Sequence, residues 1–238
     1  LNLILFQQEE LDQPLPLSDL RAKHILNVLR REAEEDFDVG LINGPRGKAW
    51  WTSRDGEGLQ LQFKWGPAPE PLPPITLLMP FARPQTMRKV LQEATAMGLE
   101  EFIFFQGAKS EASYRDSSLW STGEYHRHLR QGTEQAFCTR IPQVQFADKL
   151  GDALQLIPAQ TNRFCLDNYE ATCRLGTEPI NASVVLAIGG ERGWSAQERD
   201  LFRTAGFSLA HLGERVLRTE TAVVSSLALV HAGICPRD

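Results

Sequence analysis

Five of the eight residues from Pro67 to Pro74 are proline. No helix or central strand runs through such a stretch, because each proline fixes its φ and removes a backbone donor. The chain divides there, into residues 1–70 and 71–238, and the two parts follow different periods. Before the prolines, the short runs Phe37–Ile42, Lys48–Thr52 and Leu59–Lys64 are separated by the turn formers Asn43-Gly44-Pro45-Arg46-Gly47 and Arg54-Asp55-Gly56-Glu57-Gly58. With the opening run Leu1–Phe6, they predict a small β-barrel. One helix interrupts it, from about Ser18 to Arg31, with Ser18 as cap and Leu20, Ile25, Val28 and Leu29 near helical spacing. Its polar side carries Arg21, Lys23, His24, Arg30 and Arg31, and the acids Glu32, Glu34, Glu35, Asp36 and Asp38 follow together.

After the prolines, apolar strands alternate with amphipathic helices. Strands are expected at Ile75–Met79, Phe102–Phe105, Arg163–Leu166, Ser183–Ile188 and Phe207–Leu212. Helices are expected at about Arg83–Ala96 (closed by Gly98), Thr122–Phe137, Ser195–Ala205 and Thr219–Ala232. Ser195-Ala196-Gln197-Glu198 reads as a capping box. This alternation predicts an α/β domain with a largely parallel sheet.

Composition narrows the function. The 25 basic and 30 acidic residues give a net charge of −5, which excludes a generally basic RNA-coating protein but permits a local basic face. No apolar run approaches bilayer length. The first residues lack a basic lead and continue into Gln7-Gln8-Glu9-Glu10, so they read as a strand rather than a signal peptide. The cysteines Cys138, Cys165, Cys173 and Cys235 form no CxxC pair, which indicates a reducing, cytoplasmic setting. The Asn181-Ala182-Ser183 sequon is then coincidental. His126 and His128, two apart on a predicted helix, face different directions, so no metal is expected.

Two glycine-bearing turns stand out. Ile188-Gly189-Gly190-Glu191-Arg192-Gly193-Trp194-Ser195 joins a strand to a helix, and His211-Leu212-Gly213-Glu214-Arg215-Val216-Leu217-Arg218-Thr219-Glu220-Thr221-Ala222 joins the next strand to the last helix. Gly189-Gly190-Glu191-Arg192-Gly193 lacks the three-glycine spacing of a dinucleotide fingerprint, and Gly44-Pro45-Arg46-Gly47-Lys48-Ala49 is not a phosphate loop. Ligands of α/β sheets gather at the carboxyl ends of strands, where glycine lets backbone approach closely. On pattern alone, these segments are either a ligand site or plain turns.

Leu217-Arg218-Thr219-Glu220-Thr221-Ala222, with Gly213 and Arg215 before it, resembles the "LGxRILRxETA" signature of the ribosomal RNA uridine-N3 methyltransferase family, a branch of the SPOUT methyltransferases. Gly189, Glu191, Gly193, Trp194 and Ser195 are similar to that family's "GPEGG(F/W)S" loop. His24–Arg30, Ala94–Leu99 and, less closely, Glu134–Pro142 resemble further family segments in the proper order. The resemblance implies an N-terminal PUA-like β-barrel that helps hold RNA and a C-terminal domain whose parallel sheet is tied in a trefoil knot. It also implies bound S-adenosylmethionine, a homodimer through the C-terminal domain, and small-subunit 16S ribosomal RNA, free or assembled, as partner. Knots are rare, and no pattern argument alone would reach one.

Within that resemblance, Leu186, Ile188, Leu212, Val216 and Leu217 would wall the cofactor, and Gly189, Gly190, Gly193 and Gly213 would let backbone close around it. The same apolar residues also suit an ordinary core. Uridine N3 must lose a proton before it attacks a methyl group, and the resulting charge spreads over the flanking carbonyls. Arg218 is the candidate to stabilise it, against a phosphate contact or a salt bridge to Glu220. Glu191 or Glu220 would accept the proton if burial raised its pKa, the alternative for each being a structural anchor. Trp194 would either stack on a displaced base or anchor its loop.

Arg21, Lys23, Arg30 and Arg31, with Arg83, Arg88 and Lys89, are the expected phosphate-contacting residues, and Arg127, Arg130 and Arg140 would extend them. The sequence departs from the family at Gly190, usually proline, at Arg192, usually glycine, and around Phe81–Gln85 and Lys109–Tyr114. The rival readings are a SPOUT methyltransferase acting at another RNA position, for example ribose, and a non-catalytic RNA-binding ribosome-assembly factor. A small-molecule methyltransferase would leave the β domain and basic helix without a task.

Overall fold

A computed structural model describes residues 3–177, 180 and 183–234. Asn181 and Ala182 of the sequon, and Cys235, lie outside the described residues. The chain forms two compact units, Leu1–Pro71 with Thr133–Ile141, and Leu72–Gly132 with Pro142–Asp238.

The first unit carries a four-stranded sheet of β1 (Ile4–Phe6), β2 (Phe37–Leu41), β3 (Arg46–Arg54) and β4 (Leu59–Trp65) in that order. β1 lies parallel to β2, and the other pairs are antiparallel. Its core joins Ile4, Phe6, Ile25, Phe37, Val39 and Leu59. Residues 133–141 dock by backbone-directed bonds: Thr139 Oγ1 donates to the Gly44 carbonyl at 2.6 Å and Arg46 donates to the Phe137 carbonyl at 3.1 Å. Gly40 is required by that docking, since a Cβ there would lie 2.5 Å from Thr139 Cγ2.

The expected helix over 18–31 is shorter and differently built. α1 covers Leu20–Lys23, and its cap is Asp19, whose side chain accepts from Arg21 N at 2.8 Å, rather than Ser18. A π turn follows over His24–Val28, with Leu29 N donating to the His24 carbonyl. The extra residue rotates the apolar stripe, so Ile25 is buried while Leu20 and Val28 face outward. Arg30 then ends the segment at φ +52°.

The second unit is built on a seven-stranded, all-parallel sheet. Its elements in chain order are β5 (Ile75–Pro80), α2 (Pro84–Met97), β6 (Glu101–Phe105), α3 (Ala112–Arg115), α4 (Ser118–Ser121), α5 (Glu124–Gln135) and β7 (Gln143–Ala147). After them come α6 (Leu150–Gln155), β8 (Asn162–Leu166), β9 (Cys173–Arg174), β10 (Val184–Ile188), α7 (Ala196–Thr204), β11 (Ser208–His211) and α8 (Thr219–Ile234). The strand order is β7-β6-β5-β10-β8-β11-β9, so β10 lies between β5 and β8. β10 reads as an unbroken apolar run, and β5 as one interrupted only by Thr76, because both faces of a parallel sheet are covered. The Ser195–Glu198 capping box forms as expected, and Gly98 closes α2 at φ +90°. β7, α3, α4, α6 and β9 were not marked by the sequence pattern. No helix among the described residues is long and apolar enough to cross a membrane.

Candidate active site

Three neighbouring strands, β10, β8 and β11, end at Ile188, Leu166 and His211. All three terminal residues line one cavity of about 650 Å³, within the range of small-molecule and cofactor sites. The turn after β10 and the turn after β11 both reach it, as does the start of α2. Among the expected cofactor residues, Ile188, Gly189, Gly190, Gly193, Leu212, Val216 and Leu217 line this cavity, and so do Arg218, Glu220 and Glu191. Leu186 and Gly213 do not line it: Leu186 is fully buried inside β10, and Gly213 turns the backbone at φ +122°.

The turn after β10 is held from several sides. Trp194 is buried, stacks on Phe105 with centroids 6.3 Å apart, and donates from Nε1 to the Leu166 carbonyl at 2.9 Å. Its ring is therefore a core anchor rather than a free stacking surface. Lys109 Nζ donates to the carbonyls of Trp194 at 2.8 Å and Arg192 at 3.2 Å. Glu198 serves the capping box and also accepts from Ala108 N at 2.9 Å. Gly189 leaves only tight room for a side chain, since a Cβ would stand 3.2 Å from Gly193 Cα and press on it. Gly190 has ordinary space, and Arg192 sends its guanidinium to Glu111 at 3.3 Å. Both departures from the family loop line the cavity, with the Arg192 guanidinium bonded to Glu111.

Glu191 spans to α2. Its Oε1 accepts from Thr86 Oγ1 at 2.8 Å and from Arg83 N at 3.3 Å, which satisfies donors at a helix start whose own cap residue, Arg83, makes no side-chain cap. Glu220, in the first turn of α8, is bonded by Lys89 at 3.3 Å. Its pKa is lowered, first by its own backbone N–H, then by Lys89 and Arg218, despite partial burial. The raised pKa required of a proton acceptor is therefore absent at Glu220, because donors at the helix start outweigh desolvation. Arg218 lines the cavity with no hydrogen bond or ion pair from its guanidinium to the described residues.

The turn after β11 is lightly held. His211 Nδ1 accepts from Gly213 N at 3.0 Å, and Val216 is 80% exposed. The loop after β8, which sequence reasoning passed over, contributes Leu166, Asp167, Asn168 and Tyr169, and His211 was likewise unmarked. The available signal was an Asp-Asn pair directly after a predicted strand, a frequent start of an Asx turn.

The expected phosphate-contacting residues fall into two sets. In the first unit, Arg21 is committed to Glu10 at 2.6 Å and Asp19 at 2.8 Å and to the Leu5 carbonyl. Burial alone would lower its pKa, but those carboxylates hold it above the ordinary arginine value. Lys23, Arg30 and Arg31 form no ion pair with described residues and are exposed or nearly so. In the second unit, Arg88 is bonded by Nε and Nη2 to Glu124 at 2.9 and 3.0 Å. With His128 this holds the Glu124 carboxyl at a pKa of about 2. Arg83 is exposed beside Tyr114, and Lys89 is paired with Glu220. Arg140 is pinned to the carbonyls of Glu70 and Pro69, and Arg127 pairs with Glu124. Arg21, Arg88 and Arg140 thus carry structural bonds that a phosphate would have to displace. No group of His, Cys, Asp and Glu suited to a metal occurs among the described residues.

Comparison with known proteins adds independent findings. Residues 68–231 match the RNA methyltransferase domain family. The chain is 31% identical, over 98% of its length and 91% of the relative's, to ribosomal RNA small subunit methyltransferase E of Treponema pallidum (strain Nichols). It is 25% identical to ribosomal RNA small subunit methyltransferase E 1 of Borreliella burgdorferi, over 95% of each chain. Its fold matches the crystal structure of ribosomal RNA small subunit methyltransferase E from Neisseria gonorrhoeae bound to S-adenosyl methionine, with a TM-score of 0.80, 22% identity and 97% of each chain covered.

Proposed function

Because the chain belongs to the RNA methyltransferase domain family and to the ribosomal RNA small subunit methyltransferase E proteins, we propose that it transfers a methyl group from S-adenosylmethionine to N3 of a uridine in 16S ribosomal RNA. The observation that carries this reading is the convergence of three strand ends and both glycine turns on one cavity that also holds Arg218. A non-catalytic RNA-binding factor would have no use for that convergence.

The residues fit the cofactor. Gly189, where a Cβ would press on Gly193, brings backbone to the cavity, and Ile188, Leu212, Val216 and Leu217 provide apolar walls. When bound, the cofactor supplies a methyl group already made electrophilic by its sulfonium, so the protein's contribution is orientation and charge. The Arg218 guanidinium, which makes no hydrogen bond among the described residues and has only the Glu220 charge nearby, stabilises the negative charge that spreads over the uridine carbonyls as N3 loses its proton. Glu220 anchors the start of α8 and positions Lys89, and Glu191 ties the turn after β10 to α2. Neither acts as the proton acceptor in this reading.

RNA is held through exposed cations: Lys23, Arg30 and Arg31 of the first unit and Arg83 and Lys89 of the second, giving an affinity that falls with salt. Threading of the second unit as a trefoil knot, a PUA-like role for the first, a cytoplasmic location and a homodimer through the C-terminal domain belong to the same proposal. The homodimer is supported by Val224 and Leu229, apolar side chains of α8 that stay partly exposed. The test is calorimetry with S-adenosylmethionine alongside transfer of labelled methyl to small-subunit RNA. Binding with transfer is the expected result, and absence of both would leave the non-catalytic RNA-binding reading.

A further inference from the structure

Tyr169 and Val216 are 81% and 80% exposed, and among the described residues only Leu20 is comparably exposed for a large apolar side chain. Tyr169 and Val216 both line the cavity. An aromatic ring left in water gains nothing from folding, yet the backbone that carries Tyr169 is firmly fixed. Asp167 Oδ1 accepts from Tyr169 N at 2.7 Å and Glu170 N at 2.6 Å. Its Oδ2 accepts from Arg199 Nε at 2.7 Å, in an ion pair whose side chains are only 2% and 10% exposed. Arg199 also reaches Glu170 at 3.5 Å and sets its guanidinium 5.5 Å from the centre of the Tyr169 ring. A buried ion pair is weak evidence for stability, because desolvation offsets attraction. Here it fixes the position of a four-residue loop, 167–170, and covers one face of the ring while the other stays open.

We infer that Tyr169 is a positioning residue for RNA, its open face being the platform on which the target base stacks at the cavity rim. This rests on the methyltransferase reading above. A base drawn out of RNA loses its stacked neighbours, and an aromatic face replaces them without reading sequence. The cavity interior already has buried apolar walls in Ile188 and Trp194 for the cofactor. The exposed ring is what a ligand arriving from solvent on a polymer meets.

Tyr169→Ala, Tyr169→Leu, Tyr169→Phe and Tyr169→Trp are compared in three assays: affinity for S-adenosylmethionine, affinity for a single-stranded uridine-containing RNA at saturating cofactor, and steady-state transfer. Ala and Leu are expected to weaken RNA binding and raise its KM about tenfold to hundredfold, the range of a lost base–aromatic stack. Cofactor affinity and kcat should stay within about twofold, and Phe and Trp should restore KM. Thermal melting of the Ala variant should match that of the unaltered protein. A Leu variant as good as Tyr, or a parallel loss of cofactor affinity, overturns the inference. If the unaltered protein binds both ligands but transfers no methyl group, the reaction reading fails. The Ala-against-Trp comparison of RNA affinity then still decides the platform.

Discussion

The turns after β10 and β11 face the same cavity and are built in opposite ways. Gly189–Ser195 is clamped by a buried tryptophan, a lysine bonded to two of its carbonyls, a capping box and a glutamate that reaches α2. Leu212–Arg218 is held among the described residues only by Gly213 N donating to His211 at its start and by Ala222 N donating to the Arg218 carbonyl at its end, and it leaves Glu214, Arg215, Val216 and Arg218 exposed. The clamped turn fits a part that must hold one shape around a small ligand. In the proposed reading, the open turn carries the charge, that of Arg218, that would act on a substrate brought from outside. If so, the two turns contribute separably to cofactor and substrate binding.

The comparison can be broken most forcefully at Trp194. Trp194→Ala should cost about 3–5 kcal/mol in urea unfolding through its cavity, with cofactor affinity lost in step. A cost under about 1 kcal/mol would mean the turn is not anchored there. In the open turn, Arg218→Ala should lower kcat about 10²–10³-fold, equivalent to about 3–4 kcal/mol, while cofactor Kd changes less than about threefold. An equal loss of cofactor binding would place Arg218 with the clamped set. Lys109→Met removes the donor to two carbonyls, and about 1–3 kcal/mol of stability should go with it. A melting temperature unchanged from the starting protein would remove the lysine from the clamp.

Glu220→Gln should have the smallest effect, about 0.3–1 kcal/mol at neutral pH, as for an acid at a helix start. Because the folded-state pKa of Glu220 is lowered, its stabilisation is present above the ordinary carboxylate value. It disappears as pH falls through the folded value. The variant and the starting protein should therefore converge in stability in acid, and kcat should be largely kept at neutral pH. A kcat loss as deep as that of Arg218→Ala would return Glu220 to the role of proton acceptor.

What the sequence made legible was local. The Ser195–Glu198 box, the Gly98 stop and the apolar run of β10 are each marked by residues a few positions apart, and each forms. The two glycine turns were legible for the same reason. Contacts between distant segments were not: Glu191 and Thr86 stand 105 positions apart, and Lys109 lies in a loop with no pattern of its own. The return of 133–141 to the first unit rests on bonds to backbone carbonyls, which any residue supplies. The helix carrying Arg21 misled because a single π turn moves Val28 off the buried stripe, and no spacing rule signals that insertion. Nor does the sequence show that opposite charges from other segments, Glu10 and Glu124, pair with Arg21 and Arg88.

The most direct test is nucleoside analysis of undermethylated small ribosomal subunits after incubation with the protein and methyl-labelled S-adenosylmethionine. Label in N3-methyluridine is the predicted result. Label on ribose or on another base, or unlabelled RNA despite measured cofactor binding to the protein, would contradict it.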